Sequence, residues 1–193
     1  MIQTRSQKYG VPMYVLYPGD YFATRENCVV MTVTGACLVV CLYDHIRGLG
    51  GMGHFIIPGM IGTEGIISSE IAEHGVVNLE YIMGEIVKLG GDRKNLKAKL
   101  FGGGYSGGVS NPIVRSNIQF LHDYFRMENI PVDKEDLGGD VRREIIFRPI
   151  TGDVFRKILK HNEGQSEFTK LEKEYIDKVF KGKEIKTHFV LFE

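Results

Sequence analysis

The chain has 193 residues, 43% of them hydrophobic, which is enough for one domain with a substantial core. Lys plus Arg and Asp plus Glu number 24 each, so no net field draws in nucleic acid or an anionic membrane, and neither is expected as a partner. No apolar run approaches the roughly 20 residues that span a bilayer, and the opening "MIQTRSQKYGVPMYVLYPGD" lacks the apolar core and cleavage site of a signal peptide. The expectation is a cytoplasmic protein without membrane insertion. Three cysteines, Cys28, Cys37 and Cys41, are an odd number too small for a disulfide framework and are read as thiols.

Residues 28–43, "CVVMTVTGACLVVCLY", are almost continuously apolar and rich in β-branched side chains, which predicts one or two buried strands broken at Gly35-Ala36, immediately before Cys37. "GHFIIPG" predicts a further short strand, because Pro58 and Gly59 stop a helix soon after it would begin. Residues 69–89 place Val76, Leu79, Ile82, Met83 and Ile86 at three- and four-residue spacing and end on Gly90-Gly91, the pattern of an amphipathic helix. "LKAKLF" alternates as a strand and runs into the glycine-rich "GGGYSGG". A second helix starts near Pro112, carries Ile118, Leu121, Tyr124 and Phe125 inward, and ends near Asn129. "RREIIFRPITGDVFRKIL" predicts a hairpin turning at "ITGD". "SEFTKLEKEYIDKVFKGK" predicts a charged helix with Phe168, Leu171, Tyr175 and Val179 on one stripe, followed by an apolar tail, "THFVLF". Strands and helices that do not alternate regularly point to an α+β fold.

"GLGGMGH", residues 48–54, contains a G-x-G-x-x-G, and "GGGYSG" contains another. A dinucleotide loop needs a helix opening at its third glycine, and Pro58 denies one after Gly53. Cys37, Cys41 and His45 are spaced by four, but in extended structure residues so spaced lie too far apart to share one ion, so no metal is expected. Cys28 and Cys41 read as small buried hydrophobes. Cys37 differs, because Thr34-Gly35-Ala36 is a tight bend at which a backbone can expose its next side chain and turn its amides toward an oxyanion. A thiol there needs a base, and His54 lies beyond a glycine-rich reversal that can return its strand beside the first. On spacing alone, a buried cysteine and a hydrogen-bonded histidine remain an equal alternative.

The same stretches resemble the CheD family of chemoreceptor glutamine deamidases. "TVTGACLVVC" is similar to the family's T-x-L-G-S-C-V-A-V-C, and "GGMGHFIIP" to its G-x-x-H-x-x-L-P, with the Cys37-to-His54 interval of seventeen residues preserved. "KLFGGG", "NIQFLHDYF" and "DLGGDVRREIIFRPITGDV" continue the likeness in order, from about residue 10 to about residue 160. The resemblance implies β-sheets layered with helices, similar to toxin-type cysteine deamidase domains, over residues 1–160, with 161–193 as a C-terminal extension. It implies Cys37 as nucleophile, His54 as general base and Thr32 as the residue orienting the imidazole, with Thr34 as the alternative for that third place. Backbone amides near Gly35 and Ala36 would hold the oxyanion, and the glycines around Gly51, Gly53, Gly103 and Gly104 would form loops through which a protein-borne glutamine approaches. It further implies no cofactor, a chemoreceptor cytoplasmic domain as substrate, a CheC-type phosphatase as a second partner, and methyl-ester hydrolysis as a side activity. The chain departs from the family pattern at Ala36, Thr34, Gly104 and Ser116. These departures keep open a binding module that docks on the same partners with little catalysis. On the enzyme reading, Cys37 has a depressed pKa and is alkylated faster than Cys28 or Cys41.

Overall fold

The computed structural model describes residues 1–57, 70–105, 111–159 and 167–181. Its elements are β1 (Ile2–Arg5), β2 (Pro12–Val15), β3 (Tyr21–Thr24), β4 (Val29–Thr34), β5 (Leu38–Asp44), β6 (Leu49–Phe55), α1 (Glu70–Lys88), β7 (Leu96–Gly102), α2 (Asn111–Met127), β8 (Val132–Leu137), β9 (Arg142–Phe147), β10 (Val154–Leu159) and α3 (Glu167–Lys181). The strands form two five-stranded sheets, ordered β1-β2-β4-β9-β10 and β3-β6-β5-β7-β8. The apolar run at 28–43 therefore supplies β4 to the first sheet and β5 to the second, and the bend at 35–37 is the crossing between them.

The layering follows from the alternation of side chains along β5. Val39, Cys41 and Tyr43 join Val30, Met52, Phe101, Ile145 and Phe147 in the core between the sheets. Leu38, Val40 and Leu42 point to the opposite face, where Leu79, Ile82, Met83 and Ile86 of α1 and Phe120, Leu121, Tyr124 and Phe125 of α2 cover them. A strand covered on both faces reads as a continuous apolar run, as this one does. The fold is α+β, with two stacked sheets and a helical layer.

"GLGGMGH" is not a loop. It forms most of β6, which lies between β3 and β5 in full antiparallel register. A Cβ on Gly53 would stand 2.3 Å from Ile82 Cδ1, and one on Gly51 would stand 2.9 Å from the Phe22 carbonyl and 3.0 Å from Ile82 Cγ2. These glycines let α1 lie close on the sheet, which corrects their reading as a substrate-approach loop. Pro58 and Gly59, the end of "GGGYSGG" from Ser106 on, and the "THFVLF" tail fall outside the described residues.

The β5–β6 turn is held by the buried Asp44, whose carboxylate accepts from the amides of Ile46 at 3.0 Å, Arg47 at 2.9 Å and Asp92 at 2.9 Å. Burial pushes this carboxyl up, but the three amide donors outweigh it and hold the group below the ordinary carboxylate range. A folded-state pKa below the unfolded one contributes stability that is present above the unfolded value and lost as pH falls through the folded one. We expect Asp44→Asn to destabilise by about 1–3 kcal/mol at neutral pH. Thermal unfolding across a pH series should show the gap between variant and wild type closing on the acid side.

Candidate active site

Cys37 sits where β4 leaves one sheet and β5 enters the other, and the bend is tied down from behind by the loop that follows β7. Gly103 N donates to the Cys37 carbonyl at 3.0 Å and Gly104 N to the Gly35 carbonyl at 2.7 Å. Thr34 Oγ1 also donates to the Cys37 carbonyl, at 2.7 Å. The amides of Gly35 and Cys37 both donate to a single oxygen, Oε1 of Glu172 on α3, at 2.8 and 3.0 Å. Two convergent backbone donors on one anionic oxygen are the geometry of an oxyanion hole. The glycines behind the bend allow this approach: a Cβ on Gly104 would stand 2.8 Å from the Val141 carbonyl and 2.9 Å from that of Gly35. Gly103 and Gly104 thus buttress the bend.

His54 comes from β6 and faces across to the first sheet. Its Nδ1 is 2.9 Å from Thr32 Oγ1 on β4, and that hydroxyl donates its own proton to the Leu16 carbonyl at 2.8 Å. With its proton committed, Thr32 accepts from Nδ1–H, and this tautomer leaves Nε2 as the basic nitrogen. Nε2 is buried and has no hydrogen-bond partner among the described residues. The backbone of His54 is fixed as well, its N–H donating to the Asp20 carbonyl at 3.0 Å and its carbonyl accepting from Gly19 N at 2.7 Å. Thr32 therefore reaches the imidazole, while Thr34 serves the bend.

Ligating atoms of Cys37, His54 and Glu172 all lie within 4.8 Å of one another, and Glu172 Oε1 is 3.9 Å from His54 Nε2. Such a trio has donor types that suit a divalent metal. Its carboxylate oxygen, however, already carries the two amide hydrogen bonds expected of an oxyanion. Glu172 Oε2 lies 3.3 Å from Arg142 Nη2. Burial alone would push the Glu172 carboxyl up, but the His54 imidazole and the Gly35 and Cys37 amides outweigh it and hold it below the ordinary range.

The thiol behaves in the opposite sense from the expectation of a depressed pKa. Cys37 is fully buried. Burial first, and then the charge and hydrogen bonding of Glu172, push its pKa well above the ordinary thiol value, against a smaller lowering by Arg142. Burial and Glu26 push Cys28 up to about 11, and burial raises Cys41 despite Lys99. With α3 in this position, Cys37 is a protonated, covered thiol.

The other spacing-based grouping disperses: Cys41 lies in the core between the sheets, and His45 is exposed with Nδ1 2.9 Å from the Asn95 carbonyl. Ala36 packs with Ile56, Val114, Ile176 and Val179 beside the thiol. Glu172 and Arg142 were not singled out in the sequence. The available signal was that Glu172 lies four residues after Phe168 and three before Tyr175, on the buried stripe of α3, where a carboxylate requires partners.

A family model described as CheD chemotactic sensory transduction matches residues 61–158. The chain is 43% identical to a probable chemoreceptor glutamine deamidase CheD 1 of Shewanella oneidensis, over 74% of this chain and 71% of that one. It is 35% identical to a probable chemoreceptor glutamine deamidase CheD of Thiobacillus denitrificans, over 85% of this chain and 82% of the relative. A third, from Janthinobacterium sp., is 32% identical over 86% and 83% respectively. Matches of 85% and 86% leave too few residues outside them to omit the segment from Thr32 to His54. The family model spans half of the chain and these relatives match most of it, so the chain belongs to the CheD family.

Proposed function

We propose that this protein hydrolyses the side-chain amide of glutamine residues in the cytoplasmic domain of chemoreceptors, leaving glutamate and releasing ammonia. The names of its relatives support the substrate and reaction. The observation that carries the chemistry is the junction of the sheets, where a cysteine, a histidine whose Nδ1 is engaged by Thr32, and two convergent backbone amides meet.

In this reading His54 Nε2 takes the proton of Cys37, and the thiolate attacks the carboxamide carbon of the glutamine. The amides of Gly35 and Cys37 hold the resulting oxyanion. Protonated His54 then delivers its proton to the departing ammonia, leaving a thioester on Cys37. Water that gives a proton to His54 attacks this thioester, and glutamate and the free thiol are restored. The steps call for no cofactor. Receptor methyl esters present the same acyl carbon and are the side activity this site would support. A cytoplasmic location and a CheC-type phosphatase as second partner follow from the same reading. Residues 1–160 form the catalytic domain, and 161–193 an extension.

The test is ammonia release and intact mass of a helical receptor cytoplasmic fragment incubated with the wild type and with Cys37→Ala and His54→Gln variants. Conversion by the wild type alone supports the reading, whereas a fragment that binds but is never converted returns the docking module. Thr32 is a positioning residue, so Thr32→Val should lower kcat about 10- to 100-fold with KM nearly unchanged, and Thr32→Ser should restore most of it. Steady-state kinetics of the two variants check this, because a purely structural threonine would not give a kcat effect that serine rescues.

A further inference from the structure

Helix α3 enters the site as a substrate helix would. We propose that α3 is an intramolecular product mimic, with Glu172 filling the glutamyl side-chain subsite beside Cys37, so that α3 must withdraw before a receptor glutamine can enter. The proposal rests on the deamidase reading above. It concerns the regulation of that site by this chain's own extension.

Glutamate is the product of the proposed reaction, and Glu172 is held as that product would be. Its Oε1 takes both amide donors of the cradle, at 2.8 and 3.0 Å, and lies on the His54 Nε2 side, at 3.9 Å. Its side chain is only 2% exposed, and Cys37 is covered completely. Burying a carboxylate for packing alone is unfavourable, since an apolar side chain of similar size would fill the space without the desolvation cost. The acid is accommodated here because the donors it meets already belong to a site for an acyl oxygen.

The rest of α3 is engaged along one face, at spacings that any helical ligand would share. Four residues before Glu172, the Phe168 ring lies 5.3 Å from that of Tyr17. Three residues after it, Tyr175 lies over Gly19, where a Cβ would stand 2.9 Å from the ring. At four and seven residues after it, Ile176 and Val179 pack with Ala36, Cys37 and Val114. Thr169 is hydrogen-bonded to Arg142, which also reaches Glu172 Oε2. The groove thus accepts an α-helix that presents one acyl side chain to the thiol, with large apolar neighbours one turn to either side. A receptor helix must compete for the same groove. The raised pKa of the covered thiol accords with a closed, inactive form.

The decisive variant is Glu172→Gln in the full chain, which offers the site a tethered substrate. Peptide mapping should find residue 172 converted to glutamate after purification, while Glu172→Gln combined with Cys37→Ser keeps glutamine. Glu172→Ala, and separately Ile176→Asp to displace α3, should make iodoacetamide label Cys37 roughly tenfold faster or more, leaving Cys28 and Cys41 unchanged. Both should also convert the receptor fragment faster than the wild type. Persistence of the introduced glutamine together with equal labelling in all variants, while the receptor fragment is still converted, would overturn the proposal and leave the deamidase intact. Faster labelling with no conversion of either glutamine would sink the deamidase reading and the product mimic with it. Full activation of the wild type by EDTA alone would assign the Cys37, His54 and Glu172 trio to a metal instead, and the mimic would fall.

Discussion

Cys37→Ala is expected to lower kcat/KM for the receptor fragment by roughly 10,000-fold, and His54→Gln by nearly as much. The two effects should not add. On the proposed mechanism the base acts only through the thiol, so the double variant should be scarcely slower than Cys37→Ala. Neither change threatens the fold. Cys37→Ala removes one sulfur atom at the edge of an apolar cluster that includes Ala36, Ile56 and Val114. The glutamine of His54→Gln keeps an amide within reach of Thr32, the partner that the imidazole Nδ1 has at 2.9 Å. Thermal unfolding of both variants should therefore stay within a few degrees of the wild type, for roughly 1 kcal/mol or less of destabilisation. Activity that survives in Cys37→Ala would reject the nucleophile, and activity lost only through unfolding would reject the design of the test.

Gly102→Ala is the largest structural effect we expect, and it acts on the site from behind. Gly102 has φ +97°, a conformation that L side chains rarely adopt, and an added Cβ would fall 2.0 Å from the Cys37 carbonyl oxygen. Because the obstacle is backbone, it cannot turn aside as a side chain could. Strain and displacement together should cost about 3 kcal/mol or more. The displaced group carries the carbonyl that Gly103 N and Thr34 Oγ1 hold, so the amide cradle should shift with it. Gly84→Ala is the matched comparison, since Gly84 lies inside α1 with nothing within 4 Å of its Cβ position. It should stabilise by about 0.5–1 kcal/mol. Chemical denaturation of the two variants, with receptor conversion measured alongside, separates an effect at the cradle from a general effect of glycine replacement.

Much of the α+β framework is legible in the hydrophobic pattern. Periodicity marks α1 from Val76 to Ile86 and α2 from Ile118 to Phe125, and both helices cover the second sheet with the residues anticipated, except that Ile118 packs instead on the cluster around Ala36 and Cys37. The hairpin β9–β10 and the strand β7 also follow from alternation and turn residues. The short strands β1, β2 and β3 are not legible. They are four residues each and are largely exposed or half-buried, so neither a long apolar run nor a full period marks them. β8, "VDKEDL", is nearly as polar, and it is a strand because it pairs with β7 at the sheet edge. "GLGGMGH" misleads for another reason. Glycine carries no β propensity, and the reason this central strand is built from it is tertiary: Ile82 crowds Gly51 and Gly53, and the Leu42 and Phe22 carbonyls crowd Gly50 and Gly51.

By itself the sequence determined the bend before Cys37, the interval to His54, the helices that cover the sheet, and the family likeness that ties these stretches together. Each of these is written in local pattern or in residue order. Tertiary structure alone decided that Thr32, rather than Thr34, meets the imidazole, because that depends on β4 and β6 facing each other from different sheets. It alone showed that the amides of Gly35 and Cys37 converge on one oxygen, since their direction is fixed by carbonyls tied to Gly103 and Gly104 more than sixty residues away. It alone brought Glu172, 135 residues after Cys37, into contact with that residue's amide. Contacts across such separations arise from sheet pairing and helix docking, and neither process leaves a period or a spacing in the chain for a sequence reading to find.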